Sequence, residues 1–422
     1  MKSPWAVILC KFTDDDTEPY SKQYYDHLFT SAGGGSPWNM PRYFRDYSHG
    51  KLDLDGTQVF GWYQLDKSVD DYNALGGGAR EELIKWARDA ATADGVDLSP
   101  FYSVVACTNL WMDIGATQGG VVAQGAGTQN PGLLAHEMGH VYGLPHSRRD
   151  GSNDDYKDPW DIMSAANTFT APDPEFTRIG PGVNACNMRS RGWLDETRVW
   201  KGGDGTYDET ITLRPLAARD LPGYLAAELP GGLLVEFRLR AGWDGGIPRP
   251  AVLIHRAEGG ASYIIQGDGG TLDLVAGDGY GDAEPVDPSV MDLFHDFQRV
   301  DVLSIDAAGQ QATLRIRHRP SSMLRFERRA IDPMSLVLSG KAYLAWVELH
   351  NPHTPKVADI QVALRGMSPL EQRVALGRAQ AMVEFGTAVH DAMRELGSAE
   401  IRADARLRVQ APALSAAKAP LR

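Results

Sequence analysis

Cysteine is scarce: three residues in 422, Cys10, Cys107 and Cys186, exclude a disulfide framework because at most one pair can form. Cys10 and Cys107 sit in apolar runs and read as small core side chains. Positive charge is also short. With 42 basic against 55 acidic residues, the net charge of −13 repels phosphate backbones and argues against nucleic acid as a partner. Long apolar runs are missing as well: nothing approaches the roughly 20 residues that span a membrane, and Trp5–Cys10 has the length of a strand, not of a leader's apolar core. No internal repeat of roughly 20–50 residues is present. At 43% hydrophobic and 23% charged, what remains is ordinary folded composition, long enough for two or three domains.

The first 200 residues alternate strand-like and helix-like segments, the pattern of an α/β (α+β) fold. A strand is expected over Trp5 to Phe12, an amphipathic segment at Tyr20 to Phe29 and a short helix near Arg42 to Tyr47. A hairpin is expected over Lys51 to Leu65, turning at Asp55-Gly56. Ala79 to Ala91 carries one apolar stripe, and Phe101 to Cys107 reads as a central strand parallel to the first. From about Lys201 short β-type runs separated by Gly, Asp and Pro predict a β-rich, sandwich-like or barrel-like domain over 201–320. A third region, 321–410, combines strands at Leu344–Leu349 and Ile360–Leu364, either side of Asn351–Pro355, with a packing helix near 369–396. Residues 411–422, rich in Ala, Pro and Lys, read as a disordered tail.

Chemistry concentrates in one line, Leu133-Leu134-Ala135-His136-Glu137-Met138-Gly139-His140-Val141-Tyr142-Gly143-Leu144-Pro145-His146. Residues four apart on a helix share a face, so His136 and His140 can offer two imidazole nitrogens to one ion, with Glu137 beside the open coordination position. Gly143 is where the helix should stop, since without a Cβ it takes positive φ and reverses the chain, bringing His146 round as a third ligand. Three neutral imidazoles and one open place suit zinc, whereas calcium and magnesium demand oxygen. Such an ion lowers the pKa of a water toward about 7, and Glu137 is the base that takes its proton and the acid that returns it to a leaving amine. The chemistry expected is metal-assisted hydrolysis of a peptide bond. Tyr142, next to the turn, reads as packing.

The signature from His136 to His146 resembles that of the metzincin zinc peptidases, matched at each fixed position. The resemblance implies a metzincin-like catalytic domain over 1–200 with a mixed sheet and a zinc helix. It also implies a turn methionine beneath the ligands, assigned to Met163 of Asp161-Ile162-Met163-Ser164. The run Tyr156–Ser164, followed by Arg191-Gly192-Trp193-Leu194, is similar to the gametolysin-type and immune-inhibitor-A-type peptidases, and His146 fits the gametolysin-like variant. Astacin-like members place a tyrosine two residues after the methionine. Here that residue is Ala165, so no oxyanion-assisting tyrosine is assigned. Related peptidases are mostly exported, so an extracellular location is expected.

Oxygen donors Asp150, Asp154, Asp155 and Asp158 cluster beyond the motif and raise a structural calcium as a second cofactor, although their spacing fits no EF-hand and turn chemistry also explains them. Asp14–Asp16 and Gly267–Asp282 read as solvated turns. A polypeptide or glycoprotein substrate is expected to lie extended along a sheet edge, for which Gly119–Gly125 is the candidate. Two alternatives keep the zinc fold and change its use: a catalytically idle binding or adhesion protein that recognises through the Asn351–Pro355 region, and a hydrolase acting on glycoproteins.

Overall fold

The computed structural model describes residues 1–320 apart from 165–167, 204 and 284–295. The expected third region, its 369–396 helix, the Asn351–Pro355 segment and the tail lie outside the described residues, as does Ala165. The fold is mixed α/β, with several sheets and few helices. Met1–Gly203, Glu209–Gly281 and Val300–Ile316 form one compact unit, which carries every residue of the candidate site. A second unit includes described residues 205–208, 282–283, 296–299 and 317–320, and within it a His318 ring nitrogen meets the Gly205 carbonyl at 2.9 Å.

A five-stranded sheet is built from β1 (Trp5–Lys11), β2 (Gln58–Gln64), β3 (Ser103–Thr108), β4 (Asp113–Thr117) and β5 (Gly120–Gln124) in the order β2-β1-β3-β5-β4. β1, β2, β3 and β5 are parallel, and β4 runs antiparallel to β5. The helices are α1 (Lys22–Phe29), α2 (Met40–Tyr47), α3 (Val69–Ala74), α4 (Ala79–Ala93), α5 (Pro131–Val141) and α6 (Ala185–Ser190). Alternation along β1 explains its unbroken apolar run: Trp5, Val7 and Leu9 join the core that includes α1, α2 and α5, while Ala6, Ile8 and Cys10 join the one under α3 and α4. All three cysteines are free and buried.

Two expectations are corrected here. Lys51–Leu65 is not a hairpin: Asp55-Gly56 does turn the chain, but Gln58–Gln64 then pairs in parallel with β1, and the arm before the turn contributes only the bridge between Asp53 and Lys2. Nor is Gly119–Gly125 the sheet edge. Gly120–Gln124 lies between β3 and β4, and β4 occupies the edge through a two-residue loop, Gln118-Gly119, that lacks the usual Asn-Gly signal.

Between positions 200 and 320 the described residues are β-rich. A six-stranded sheet is ordered Arg148–Arg149, Ala261–Ile264, Ala251–Glu258, Leu234–Arg238, Ala226–Glu228, Val199–Lys201, and a four-stranded sheet Tyr207–Leu213, Gln311–Arg319, Phe297–Asp306, Gly279–Gly281. Leu216, Leu225, Ala226, Leu234 and Trp243 pack into the same core as α1, α2 and α5, so the packing runs on past residue 200. Among the described residues no helix is long and apolar enough to cross a membrane.

Candidate metal centre and its surroundings

α5 is fixed at both ends. Asn130 caps its start by accepting from the Leu133 amide, with Pro131 in the first turn, where a missing N–H costs nothing. Its end is a Schellman motif: Gly143, at φ +87°, sends its N–H to the His140 carbonyl at 2.8 Å, and Leu144 sends its own to Gly139 at 3.0 Å. This reversal carries Pro145 and His146 back toward the helix, so the three imidazoles of His136, His140 and His146 meet.

Each ring is held by its other nitrogen. His136 Nδ1 donates to the Ile162 carbonyl at 2.7 Å, His140 Nδ1 to Leu144 at 2.8 Å, and His146 Nδ1 to the Asp155 carboxylate at 3.2 Å. With the protons on Nδ1, every Nε2 presents a lone pair, and His140 Nε2 stands 3.0 Å from both its neighbours. Two acceptors at that distance repel one another, so the contact is not a hydrogen bond. The arrangement is relieved by a cation placed among the three lone pairs, and ligands at about 2.0–2.1 Å from a tetrahedral ion are themselves about 3.3 Å apart. Burial lowers His136 to about 4 and lowers His140 as well, which keeps both rings neutral as ligation requires. Among the described residues these three form the one cluster of His, Cys, Asp or Glu with donors close enough to share an ion.

Glu137 faces β4. Its Oε2 accepts the Ala116 N–H at 2.8 Å; burial raises its carboxyl to about 6, against the opposing pull of that amide and of the Arg80 guanidinium. Arg80 comes from α4, clasps Asp113 with Nε at 3.0 Å and Nη2 at 2.5 Å, and fills the space that a side chain at Gly115 would need.

Met163 is fully buried and lies against α5 at Gly139, where an added Cβ would stand 2.6 Å from its sulfur; the Met163 carbonyl accepts the Ser147 amide at 3.0 Å. Gly139 was not singled out from the sequence, yet it makes the room that Met163 occupies. Tyr142 is buried, its hydroxyl meeting Trp5 Nε1 at 2.8 Å and Ser3 at 3.0 Å.

The four acids proposed for calcium do not converge. Asp150 pairs with Arg256 at 2.7 Å, exposed Asp154 lies 3.9 Å from Lys157, and Asp155 accepts from His146 and from Arg148 Nε. Asp158 is fully buried and accepts from His255 Nε2 at 3.1 Å. It belongs to a buried network that the sequence did not reveal. His255 Nδ1 lies 3.7 Å from Glu236, Glu236 is 3.2 Å from Arg238, and Arg238 clasps Asp244. Asp161 accepts from Asn184 at 2.9 Å, Asn187 at 2.6 Å and the Ser147 hydroxyl, which ties the 158–164 turn to the residue after His146. Tyr156, named in the sequence only as the first residue of the run to Ser164, is a further neighbour: its ring lies 4.1 Å from that of His146 and 6.2 Å from that of His136. Its position in the loop, five residues after Gly151, carries no periodic signal.

No family model matches the chain, and no curated protein sequence matches it.

Proposed function

We propose that the protein is a zinc-dependent endopeptidase. The observation that supports this best is the pooling of three Nε2 lone pairs, that of His140 standing 3.0 Å from each of the other two, each ring braced through Nδ1, one residue along the helix from a part-buried carboxylate. His136, His140 and His146 would hold the ion; zinc there supplies the positive charge that makes water acidic and polarises a carbonyl. Glu137 does the proton work: it takes a proton from water on one oxygen while Ala116 N–H holds the other, and it returns the proton to the leaving nitrogen. Its carboxyl, raised to about 6 by burial, is a better match for the about 7 of a metal-activated water than an ordinary carboxyl would be, which eases that proton transfer. β4, an edge strand in contact with Glu137, gives an extended polypeptide a backbone to pair with beside that carboxylate. The match to the metzincin signature supports the same reading, and export follows from that resemblance alone.

The test is metal analysis with proteolysis of casein. The account predicts one zinc per chain and cleavage that a chelator stops, and Glu137→Ala should keep the zinc while losing about 10²–10⁴-fold in rate. Full cleavage by Glu137→Ala contradicts the assignment. Bound zinc with no turnover on bare or glycosylated peptides selects the idle scaffold, and turnover on glycosylated peptides alone selects a glycoprotein substrate.

A further inference from the structure

We infer that Trp111 and Met112 form an apolar subsite for a bulky apolar side chain of an extended polypeptide, about four residues from the bond that is cut; this rests on the endopeptidase reading above. Both side chains are large, apolar and displayed to solvent, at 54% and 75% exposure. Their loop is nevertheless pinned. Trp111 has φ +72°, a conformation that a bulky residue adopts only when its surroundings impose it. Its carbonyl lies where a Cβ at Gly125 would sit, 2.1 Å away, and the Met112 methyl stands 3.5 Å from the corresponding point at Gly127. The glycines just before α5 thus let the loop settle against the turn that leads into the helix, with its two side chains turned outward.

What lies beside this pair identifies its occupant. Met112 runs directly into β4, which among the described residues has a strand neighbour on one side only. The ladder from Asp113↔Gln124 to Thr117↔Gly120 has no bulge, and Asp-Ile-Gly-Ala-Thr carries neither Pro nor Lys, the usual guards of an exposed edge. Ala116 N–H points away from β5, toward Glu137, so the open side of β4 is also the side of the metal cluster. Asp113, the next residue along, is already paired with Arg80 and with the Tyr72 hydroxyl, so its charge is balanced within the protein. A peptide paired along β4 advances at the strand's own rise of about 3.3 Å per residue, so Met112, four positions before Ala116, lies roughly 13 Å from the Glu137 contact. Trp presents a rigid face and Met an adaptable one, a pair suited to aromatic and long aliphatic side chains alike.

The test uses the zinc-loaded full chain carrying Glu137→Ala, titrated by anisotropy with fluorescein-labelled dodecapeptides in which one Phe is moved through an Ala/Ser sequence. Affinity should rise about tenfold when the Phe occupies one position toward one end, and Trp111→Ser/Met112→Ser should level that preference while leaving the Phe-free peptide unchanged. In the active protein, cleavage sites mapped in a denatured proteome should show an apolar preference about four residues from the cut, lost in the same double variant. A preference that survives the double variant, or an equal loss for every peptide, overturns the inference. So does a dimer in sedimentation that the double variant dissociates, since the edge would then serve a second copy of the chain. Cleavage without the preference sinks the subsite and spares the endopeptidase; the Trp111-dependent preference without cleavage does the reverse. Both residues are exposed, so an unchanged melting temperature certifies the fold of the variant.

Discussion

Two short stretches of similar length, His136–His146 and Asp150–Asp158, each look in the sequence like a ligand set, and the fold treats them oppositely. The histidines converge because a helix turn and a Schellman reversal fix where residues four and ten positions apart must point. The aspartates occupy a loop, where spacing dictates nothing, and each finds a different partner: Arg256, Lys157, His146 with Arg148, and His255. Local geometry makes a motif readable. Where partners come from residues about a hundred positions away, as with Asp158 and His255, it does not.

Substitutions in the two stretches sharpen this contrast, beginning with the largest effect. His146→Ala should abolish stoichiometric zinc in a dialysed sample measured by plasma emission, because two imidazoles without the third do not make a closed donor set; retained stoichiometry would mean that the ion sits elsewhere. In the other stretch the largest loss is of stability. Asp158→Ala removes one partner of a buried pair and leaves His255 among Glu236 and Arg238, a change expected to cost about 3–5 kcal/mol in denaturant unfolding. An effect below about 0.5 kcal/mol would show that the pair is not buried as described.

The same network predicts a pH dependence. Burial works against the charge of His255, but the Glu236 carboxylate and the bond to Asp158 outweigh it, and the pKa is raised above its ordinary 6.5. Protonation therefore favours the folded state: the stabilisation is complete below pH 6.5 and is lost as pH rises through the raised value. Asp161, pushed up to about 7 by burial and by Asp158, has the same sign. Unfolding free energy should fall with pH across the neutral range, with a shallower slope in His255→Asn; an identical slope in the variant refutes the assignment.

Smaller still is Asp155→Asn, which keeps a partner for His146 Nδ1 but removes the charge that orients it. Zinc affinity should weaken about 10–100-fold in a competition titration with a chromophoric chelator. Asp154→Asn, exposed beside Lys157, should change neither metal affinity nor stability by more than about 0.5 kcal/mol. Equal effects at 154 and 155 would erase the distinction drawn between them.

β1, β3, α4 and the three histidines announce themselves through unbroken apolar runs, an apolar stripe or a helical interval, all set by neighbours in the chain. β4 does not, because five residues with a central glycine carry no alternation, and its identity as the edge depends on the Gln118-Gly119 loop closing onto β5. Asp55-Gly56 was legible as a turn, but whether the strand after it pairs with the chain before it or with β1 is a tertiary choice. Gly139 and Met163 explain one another only in three dimensions: the missing side chain at one position is the space occupied by the sulfur at the other. Arg80 and the His255 network enter the site's surroundings from distant segments, where no local pattern marks them.

The central claim, three imidazoles around one ion with a place left for solvent, is tested most directly by the X-ray absorption spectrum of the protein loaded with one equivalent of zinc. The account predicts the multiple-scattering signature of three imidazoles at about 2.0–2.1 Å together with one further light-atom ligand. A shell with fewer than three imidazoles, or one closed by sulfur or a fourth imidazole, contradicts it.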